Sequence, residues 1–388
     1  MRFPGFEGEW EKHTLGEVGE PYIGLTYSPA DVVSEGGVIV FRSSNIQNGE
    51  IDYSDIVRVE KRIKESIRTR KDDLLICARN GSPRLIGKNA LLDDEDANQT
   101  FGAFMLVFRS EDNHFIHQLL STKGYYSQVS ENLGARINQI TTSNIKDFEF
   151  SFPQSKAERD KIASFLDLID RRISIQNRVI ERYESLIKAL VDMWVLELLK
   201  GTTTRFEQLY VRAGEGGTPS TSERTYYEGG VIPFVKIDDL SSMYLTSNKD
   251  YITSAGLAKS SAWIIPKHSV IYSNGATIGS ISINTYPVTT KQGILGIVPK
   301  NEIQTEYLYY MMRSSYFSRE VQRIITEGTM KTAYLKDINR IICPLPSPEV
   351  QTRMTSGLLA LSEKASIEKK TQLLYTNLKR NLLAHLFI

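Results

Sequence analysis

Gly-Gly-Val-Ile at residues 36–39 returns as Gly-Gly-Val-Ile at residues 229–232, and this repetition decides the architecture of the chain. Asn-Gly at residues 80–81 returns at residues 274–275 with almost the same offset. A period of about 190 residues is much longer than the 20–50 residues of a solenoid repeat. The sequence therefore predicts a duplicated globular unit, and a duplicated unit can form a particle with pseudo-twofold symmetry.

Each copy is followed by a long segment with helical periodicity. In the first segment the apolar residues are separated alternately by four and three residues, which is typical of a coiled-coil seam. The second segment begins with Ser347 as an N-cap and Pro348 at the first helical position, and its seam is weaker. Because neither seam can be buried alone, we expect an antiparallel pair. The seam residues are Ile162, Leu166, Ile169, Ile173, Ile180, Tyr183, Ile187, Leu190, Met354, Leu358, Leu361, Tyr375, Leu378 and Leu382. The alternative is two separate helices that each bind another protein.

The globular copies combine short β-branched and aromatic runs with some helix. Strands and helices do not alternate regularly, so the predicted class is α+β, with two similar α/β domains and the helix pair. Helices are expected at residues 115–130 and 306–325. The predicted boundaries are 1–154 for the first domain, 155–200 for the first helix, 201–346 for the second domain and 347–388 for the second helix.

Composition is that of an ordinary globular protein. The 388 residues are 41% hydrophobic and 24% charged, with a net charge of +1. Residues 1–155 contain 17 Lys and Arg against 23 Asp and Glu, so a partner or a local cluster of cations must neutralise any bound phosphate. The two cysteines lie in apolar surroundings, and no signal peptide is recognisable, so we expect a cytoplasmic protein.

Polar residues concentrate where the predicted strands end. Arg, Lys, Asn and Gln are the side chains that hydrogen-bond base edges, and small residues let the backbone approach phosphate. The candidate DNA contacts in the first copy are Arg42, Ser44, Asn45, Arg79, Asn80, Arg84, Asn98, Gln99, Arg136 and Asn138. Those in the second copy are Lys236, Asn274, Lys291, Gln292, Thr329 and Lys331. The alternative for each residue is a solvated turn. The basic run at residues 58–71 is interpreted as a solvated helix face, and the alternative is a surface that binds phosphate.

No catalytic motif is found. The sequence contains no H-E-x-x-H, P-loop or G-x-S-x-G pattern, and no set of residues with metal-ligand spacing. We therefore expect a protein without enzymatic activity, metal or cofactor of its own.

The order of domain, long helix, domain, long helix resembles the specificity (S) subunit of type I restriction-modification systems. Residues 10–17 and 206–209 resemble the opening of its recognition domains. The stretches at 37–42 and 230–236 resemble the first core strand. A third stretch, from Asp73 to Gly87 and from Ser269 to Gly279, also resembles the family, and the order of these motifs is repeated twice.

This resemblance implies a non-catalytic subunit that gives a DNA methyltransferase and endonuclease complex its sequence specificity. Each domain would read half of a bipartite site in double-stranded DNA, and the helices would set the spacing. The implied partners are two methyltransferase (M) subunits and the endonuclease/translocase (R) subunits, on which S-adenosylmethionine, ATP and Mg are expected. The competing hypothesis is a non-catalytic coiled-coil adaptor that binds proteins instead of DNA.

Overall fold

The computed structural model describes residues 2–133, 138–325 and 331–387. They form two compact units, of which the first comprises Met1–Arg178 and Lys369–Ile388 and the second comprises Val179–Glu368. Each unit contains one globular domain of mixed strands and helices together with part of each long helix. The predicted α+β class is therefore confirmed.

The described residues of the first unit form short strands and five α-helices. In chain order they are β1 (Trp10–Thr14), α1 (Leu15–Val18), β2 (Glu20–Ile23), β3 (Val32–Val33), β4 (Val38–Phe41), β5 (Ile46–Gln47), β6 (Glu50–Ile51), β7 (Val57–Val59), β8 (Leu74–Cys77), β9 (Asn89–Leu91), β10 (Thr100–Phe101), β11 (Met105–Arg109), α2 (Asn113–Leu119), α3 (Lys123–Asn132), α4 (Thr142–Asp147), β12 (Glu149–Pro153) and α5 (Lys156–Leu198). Helix α5 continues into the second unit.

Two sheets pack against each other in this unit. One has the order β2-β11-β8-β9 and is antiparallel throughout, and the other has the order β10-β4-β7-β3 with a single parallel pair, β10 and β4. Strand β8 is buried on both faces: Leu74 and Ile76 join the core with the helices, whereas Leu75 and Cys77 join the core with β4. This alternation explains why β8 reads as an uninterrupted apolar run.

The second unit repeats this plan. Its elements are the end of α5, then β13 (Thr203–Arg205), β14 (Tyr210–Glu215), β15 (Ile232–Val235), β16 (Tyr244–Leu245), β17 (Asp250–Ile252), α6 (Ser254–Ala258), β18 (Val270–Ser273), β19 (Ile281–Asn284), β20 (Thr289–Thr290), β21 (Ile294–Pro299), α7 (Thr305–Arg313), α8 (Ser315–Ile324), α9 (Leu335–Ile338), β22 (Ile342–Pro344) and α10 (Pro348–Leu386). The sheet orders β14-β21-β18-β19-β16 and β17-β15-β20 follow those of the first unit, except that β16 is an additional edge strand and β3 has no counterpart among the described residues.

In both domains the first and last strands pair with each other. Strand β1 is antiparallel to β12, with Trp10 opposite Pro153, and β13 is antiparallel to β22, with Thr203 opposite Pro344. The chain therefore enters and leaves each domain on adjacent strands.

The single helices predicted at residues 115–130 and 306–325 are each broken into two. The hydroxyl of Thr122 accepts a hydrogen bond from Tyr125 N at 3.3 Å, and the hydroxyl of Ser314 accepts one from Phe317 N at 3.1 Å. Each hydroxyl caps the start of a new helix, because it accepts a backbone hydrogen bond that a carbonyl of the preceding turn would accept in a continuous helix. The chain can therefore change direction there.

The long helices pair in opposite directions in the first unit. Asp170 on α5 binds Nζ of Lys379 on α10 at 2.6 Å, and two residues later Arg172 stacks over Tyr375, four residues earlier on α10. Ile162, Leu166 and Ile169 share a core with Leu383 and Leu386. The predicted antiparallel pair is therefore confirmed in this unit.

The second unit contains the other ends of the same helices. Val191 and Val195 of α5 share a core with Met354 and Leu358 of α10, and Ile187 and Leu190 pack against it. The remaining predicted seam residues Ile173, Ile180, Tyr183, Leu361, Tyr375 and Leu382 are half-buried. Leu378 does not belong to the seam: it is exposed, because its neighbour Lys379 occupies the position facing Asp170 and Leu383 is the buried residue of the next turn.

Candidate nucleic-acid interface

Three of the four predicted polar loops of the first domain meet at one edge. The side-chain amide of Asn80 donates to Ser43 Oγ at 2.9 Å, and that of Asn138 donates to the carbonyl oxygen of Gly81 at 3.0 Å. Arg79 also forms an isolated antiparallel bridge with Gln139. We call residues 42–44, 79–84, 104 and 138–139 the first loop cluster. The ends of β4 and β8 position it.

The fourth loop lies elsewhere. The carbonyl Oε1 of Gln99 accepts a hydrogen bond from Ile39 N at 2.9 Å, at the beginning of β4, whereas Arg42 follows its end. At about 3.3 Å per strand residue the two places are roughly 10 Å apart. Asn98, with φ of 63°, and half-buried Gln99 are therefore not part of the first loop cluster.

Backbone hydrogen bonds define the equivalent edge of the second domain. Lys291 N donates to Val235 O at 3.0 Å, Gly275 N donates to Gly293 O at 3.2 Å, and Ala333 N donates to Asn274 O at 2.9 Å. We call residues 236, 274–275, 291–293 and 331–333 the second loop cluster. Lys291, Gln292 and Lys331 are exposed in it.

Gln99 and Gln292 do not occupy corresponding positions in the two domains. Thr290 pairs with Val235 as Phe101 pairs with Phe41, so Gln292 corresponds to Ala103 and Gln99 corresponds to Val288. Lys291 and Gln292 consequently follow the short parallel strand, whereas Asn98 and Gln99 precede it. The two domains thus carry different side chains at their corresponding edges.

Two predicted contacts are structural residues. Asn45 and Asn274 are fully buried. The amide of Asn45 donates to the carbonyl oxygens of Asp52 and Asp55, and the amide of Asn274 donates to Ala333 O at 3.1 Å. Because neither amide is available to a ligand, we remove both residues from the proposed DNA-contacting set. Arg136 and Thr329 lie outside the described residues.

The cations of the two clusters differ in their pairing. Arg42 binds Asp55 and Lys236 binds Asp250, each at 2.8 Å, at corresponding positions of the two domains. Arg79, Arg84 and Lys291 are exposed and have no ion pair with any residue in the described ranges. These three side chains can bind an anion or a base edge without first losing a protein partner. Ser44 is also exposed.

Phe104 is a component of the first loop cluster that sequence reasoning missed. It is 57% exposed, and the guanidinium carbon of Arg79 lies 4.9 Å from the centroid of its ring. Phe104 directly precedes β11 and reads as part of an apolar strand. The signal that could have identified Phe104 is a difference between the two copies, because the corresponding residue of the second copy is Gly293.

The basic run at residues 58–71 is not a helix face. It contains the end of β7 and a single 3₁₀ turn at Glu65–Ile67. Lys61 binds Asp31 at 3.1 Å and Lys71 binds Asp94 at 2.5 Å. These two cations thus have acidic partners within the first domain.

A polar cluster joins α2 to the helix pair of the first unit. His114 hydrogen-bonds Asp167 at 2.9 Å and Asp72 at 3.1 Å, and the amide of Gln118 donates to Asp167 and Asp170. The hydrogen bond with Asp167 raises the pKa of His114. The neighbouring His117 has its pKa lowered to about 4 by burial.

The described residues contain no group of three or more His, Cys, Asp or Glu side chains arranged to hold a metal ion. Across residues 2–133, 138–325 and 331–387, no helix combines the length and apolarity required to cross a membrane.

Comparison with known proteins places these features in a family. The family model described as "Type I restriction modification DNA specificity domain" matches residues 7–184 and again residues 193–374. Over 93% of this chain and 96% of the relative, the sequence is 20% identical to the type I restriction enzyme HindI specificity subunit of Haemophilus influenzae. It is 29% identical to the MjaIX specificity subunit of Methanocaldococcus jannaschii over 45% of this chain, and that match spans only 40% of the relative.

Solved structures show the same fold. The crystal structure of the type I restriction-modification S subunit from M. genitalium aligns over 100% of this chain and 99% of that chain, with a TM-score of 0.65 and 18% identity. The specificity-domain model matches each half of the chain once, in agreement with the two structural copies. The chain therefore belongs to the DNA specificity family of type I restriction-modification systems.

Proposed function

We propose that this chain is the sequence-specificity subunit of a type I restriction-modification complex and performs no catalysis itself. Each globular domain reads one half of a bipartite site in double-stranded DNA. The helix pair sets the distance between the halves and binds methyltransferase subunits, and endonuclease/translocase subunits join for restriction. Family membership supports the general role, and the loop clusters and helices support its details.

The observation that carries the proposal is the repetition of one edge with different side chains. Both domains end the same strands at the same place, and both keep a paired cation there, Arg42 or Lys236. The exposed cations without ion pairs differ, since they are Arg79 and Arg84 in the first cluster and Lys291 in the second. A common scaffold with different contact residues suits two domains that recognise different sequences.

The long helices offer apolar surface for a protein partner. Leu168, Met193, Leu196, Leu373 and Leu374 are exposed on α5 and α10. Contiguous exposed apolar surface marks protein interaction sites, and Leu373 and Leu374 are adjacent on α10. We therefore assign these helices the second role of holding methyltransferase subunits.

The function is tested by co-expressing the chain with its cognate methyltransferase subunit and mapping methyladenine across the host genome. The expected result is a motif of two short specified blocks separated by a fixed number of unspecified bases. Methylation that does not depend on the chain, or a continuous motif, would contradict the proposal. Purified chain incubated with S-adenosylmethionine and DNA is expected to leave the DNA unmodified, and turnover would contradict the non-catalytic role.

The spacing role predicts a defined effect of helix length. Inserting one heptad in the middle of both α5 and α10 lengthens the pair by about 10 Å, or roughly three base pairs, while it preserves the seam. We expect the gap in the methylation motif to grow accordingly, or methylation to be lost. Insertion in α5 alone serves as the comparison, because it misaligns the seam and should abolish activity. An unchanged motif with both insertions would refute the spacing role.

A further inference from the structure

The two loop clusters differ most at one pair of corresponding residues. In the first domain Ala78 N and Arg79 N both donate to the carbonyl oxygen of Phe104, each at 3.0 Å. In the second domain Asn274 N and Gly275 N donate to the carbonyl oxygen of Gly293, at 3.0 and 3.2 Å. The same backbone arrangement therefore carries Arg79 and Phe104 in one domain and two glycines in the other. Asn274-Gly275 thus corresponds in the structure to Ala78-Arg79 and not to Asn80-Gly81, as the repeat in the sequence suggests.

Arg79 is unlike the other stacked arginine of the first domain. Arg109 also stacks on an aromatic ring, that of Tyr22, but its guanidinium binds Asp73 at 2.8 and 2.9 Å and is committed to the fold. The guanidinium of Arg79 lies over the Phe104 ring, and no hydrogen bond or ion pair within the described ranges occupies its donors. Stacking restricts the orientation of the guanidinium plane and leaves its outer edge open.

The loop that carries Arg79 is braced on both sides. Asn80 holds Ser43, and Asn138 holds Gly81, while Asn80 N donates to the carbonyl oxygen of Asn138 at 3.3 Å. Asn80 and Asn138 are therefore positioning residues rather than contacts. A planar donor pair on a braced loop loses little conformational entropy on binding.

The chemistry that fits a fixed, unpaired guanidinium is a planar pair of acceptors. In the major groove of DNA, O6 and N7 of guanine form such a pair, and bidentate arginine is the commonest specific contact to them. Phosphate offers acceptors as well, but a phosphate contact does not require the ring that holds Arg79 in one orientation. The exposed ring of Phe104, next to the guanidinium, favours the base edge.

The corresponding place in the second domain has no side chain. A Cβ built on Gly275 would lie 3.2 Å from the Cα of Gly293, so the two backbones are in close contact. DNA can approach this backbone closely, and the exposed side chains of the second loop cluster include Lys291, Gln292 and Lys331.

We propose that Arg79, held by Phe104, reads a guanine in the half-site of the first domain, and that the second domain has no arginine contact at the corresponding base. The proposal rests on the proposed function and adds a specificity-determining residue to it. It assigns one position of one half-site to one side chain.

The test uses the complex with the methyltransferase subunit and compares Arg79→Ala, Arg79→Lys and Phe104→Leu with the wild type. Methyladenine mapping is combined with binding to oligonucleotides in which each base of the site is changed. We expect Arg79→Ala to relax one guanine position of one half-site, with discrimination there falling roughly 5- to 150-fold. Arg79→Lys should not restore it, and Phe104→Leu should weaken it in part. The other half-site should be unchanged.

Arg62→Ala is the matched control, since Arg62 is an exposed arginine of the first domain that lies outside the first loop cluster and has no ion pair or ring contact with any described residue. It should retain the complete motif. If Arg79→Ala keeps all base preferences and only lowers the salt dependence of binding, Arg79 contacts phosphate and the proposal is overturned. Thermal unfolding of each variant checks that the domain is folded. We expect it to be folded, because the side chains of Arg79 and Phe104 are both exposed.

The two proposals fail in different ways. If the wild-type complex produces no bipartite methylation, the proposed function fails. If the wild-type motif is bipartite and Arg79→Ala leaves every position unchanged, the function stands and only the assignment of Arg79 is wrong.

Discussion

At the scale of single residues, the loop clusters separate side chains that build the loop from those that remain available. Asn45, Asn80, Asn138 and Asn274 are residue types that bind bases, yet each uses its amide on its own domain. Sequence alone could not make this distinction, because a loop asparagine is equally suited to a base edge and to a neighbouring carbonyl. It depends on which strands bring the loops together.

Glycine provides a second test at this scale. Gly293 has a φ of +84°, and a Cβ on it would approach the Cα of Gly275 at 3.6 Å. We expect Gly293→Ala to lower the free energy of unfolding by about 1 kcal/mol and also to impair recognition of the second half-site. The measurements are urea unfolding of the chain and methylation by the complex.

Gly229→Ala is the control for that substitution. Gly229 has a φ of +70°, and a Cβ added to it would meet no heavy atom within 4 Å, so it has a similar backbone cost outside the second loop cluster. It should lose similar stability and keep its methylation motif. If Gly293→Ala and Gly229→Ala recognise the second half-site equally well, the result would argue against a close approach of DNA at Gly293.

His114 gives a pH dependence. Its hydrogen bond with Asp167 raises its pKa above the ordinary 6.5, so its stabilisation is complete below that value and disappears as the pH rises through the folded-state pKa. The difference in unfolding free energy between wild type and His114→Gln should therefore be larger at about pH 5.5 than at about pH 9. Urea midpoints at both values measure it, and a difference independent of pH would contradict the assignment.

At the scale of elements, periodicity predicted the long helices well, because a seam repeated over many turns outweighs local exceptions. Periodicity gave wrong predictions where a single side chain determines the start of a helix or the position of the seam. Ser314 and Thr122 cap new helices inside apolar stripes, and Lys379 moves the seam of α10 away from Leu378 by binding Asp170. A hydroxyl or an ion pair redirects the chain without changing the hydrophobic pattern.

The outer surface of α10 can be tested separately from its seam. Leu373 and Leu374 are 57% and 70% exposed. Replacing both with Ser should weaken co-purification with the methyltransferase subunit while it leaves the unfolding midpoint nearly unchanged, because no buried surface is lost. Glu363→Ser combined with Lys364→Ser, two exposed polar positions on the same helix, should retain the partner. Equal retention by both double variants would rule out docking at these leucines.

At the scale of the whole molecule, the duplicated organisation was visible in the sequence because both copies keep the glycines and apolar runs that the scaffold requires. The correspondence of the loop residues was not visible in the sequence. Gln99 and Gln292 share a residue type, but Gln99 precedes the short parallel strand of its domain whereas Gln292 follows the equivalent strand. When the strands are matched by their hydrogen-bond register, Phe104 of the first domain corresponds to Gly293 of the second.

The pairing of β1 with β12 and of β13 with β22 has a consequence for how such a protein can change over generations. A domain whose ends lie side by side can be replaced as a cassette by recombination at those strands, with the helices left intact. A new target could then be acquired in one genetic event, whereas stepwise substitution would pass through intermediates that recognise nothing. A crossover at these strand pairs would leave both the domain and the long helices intact.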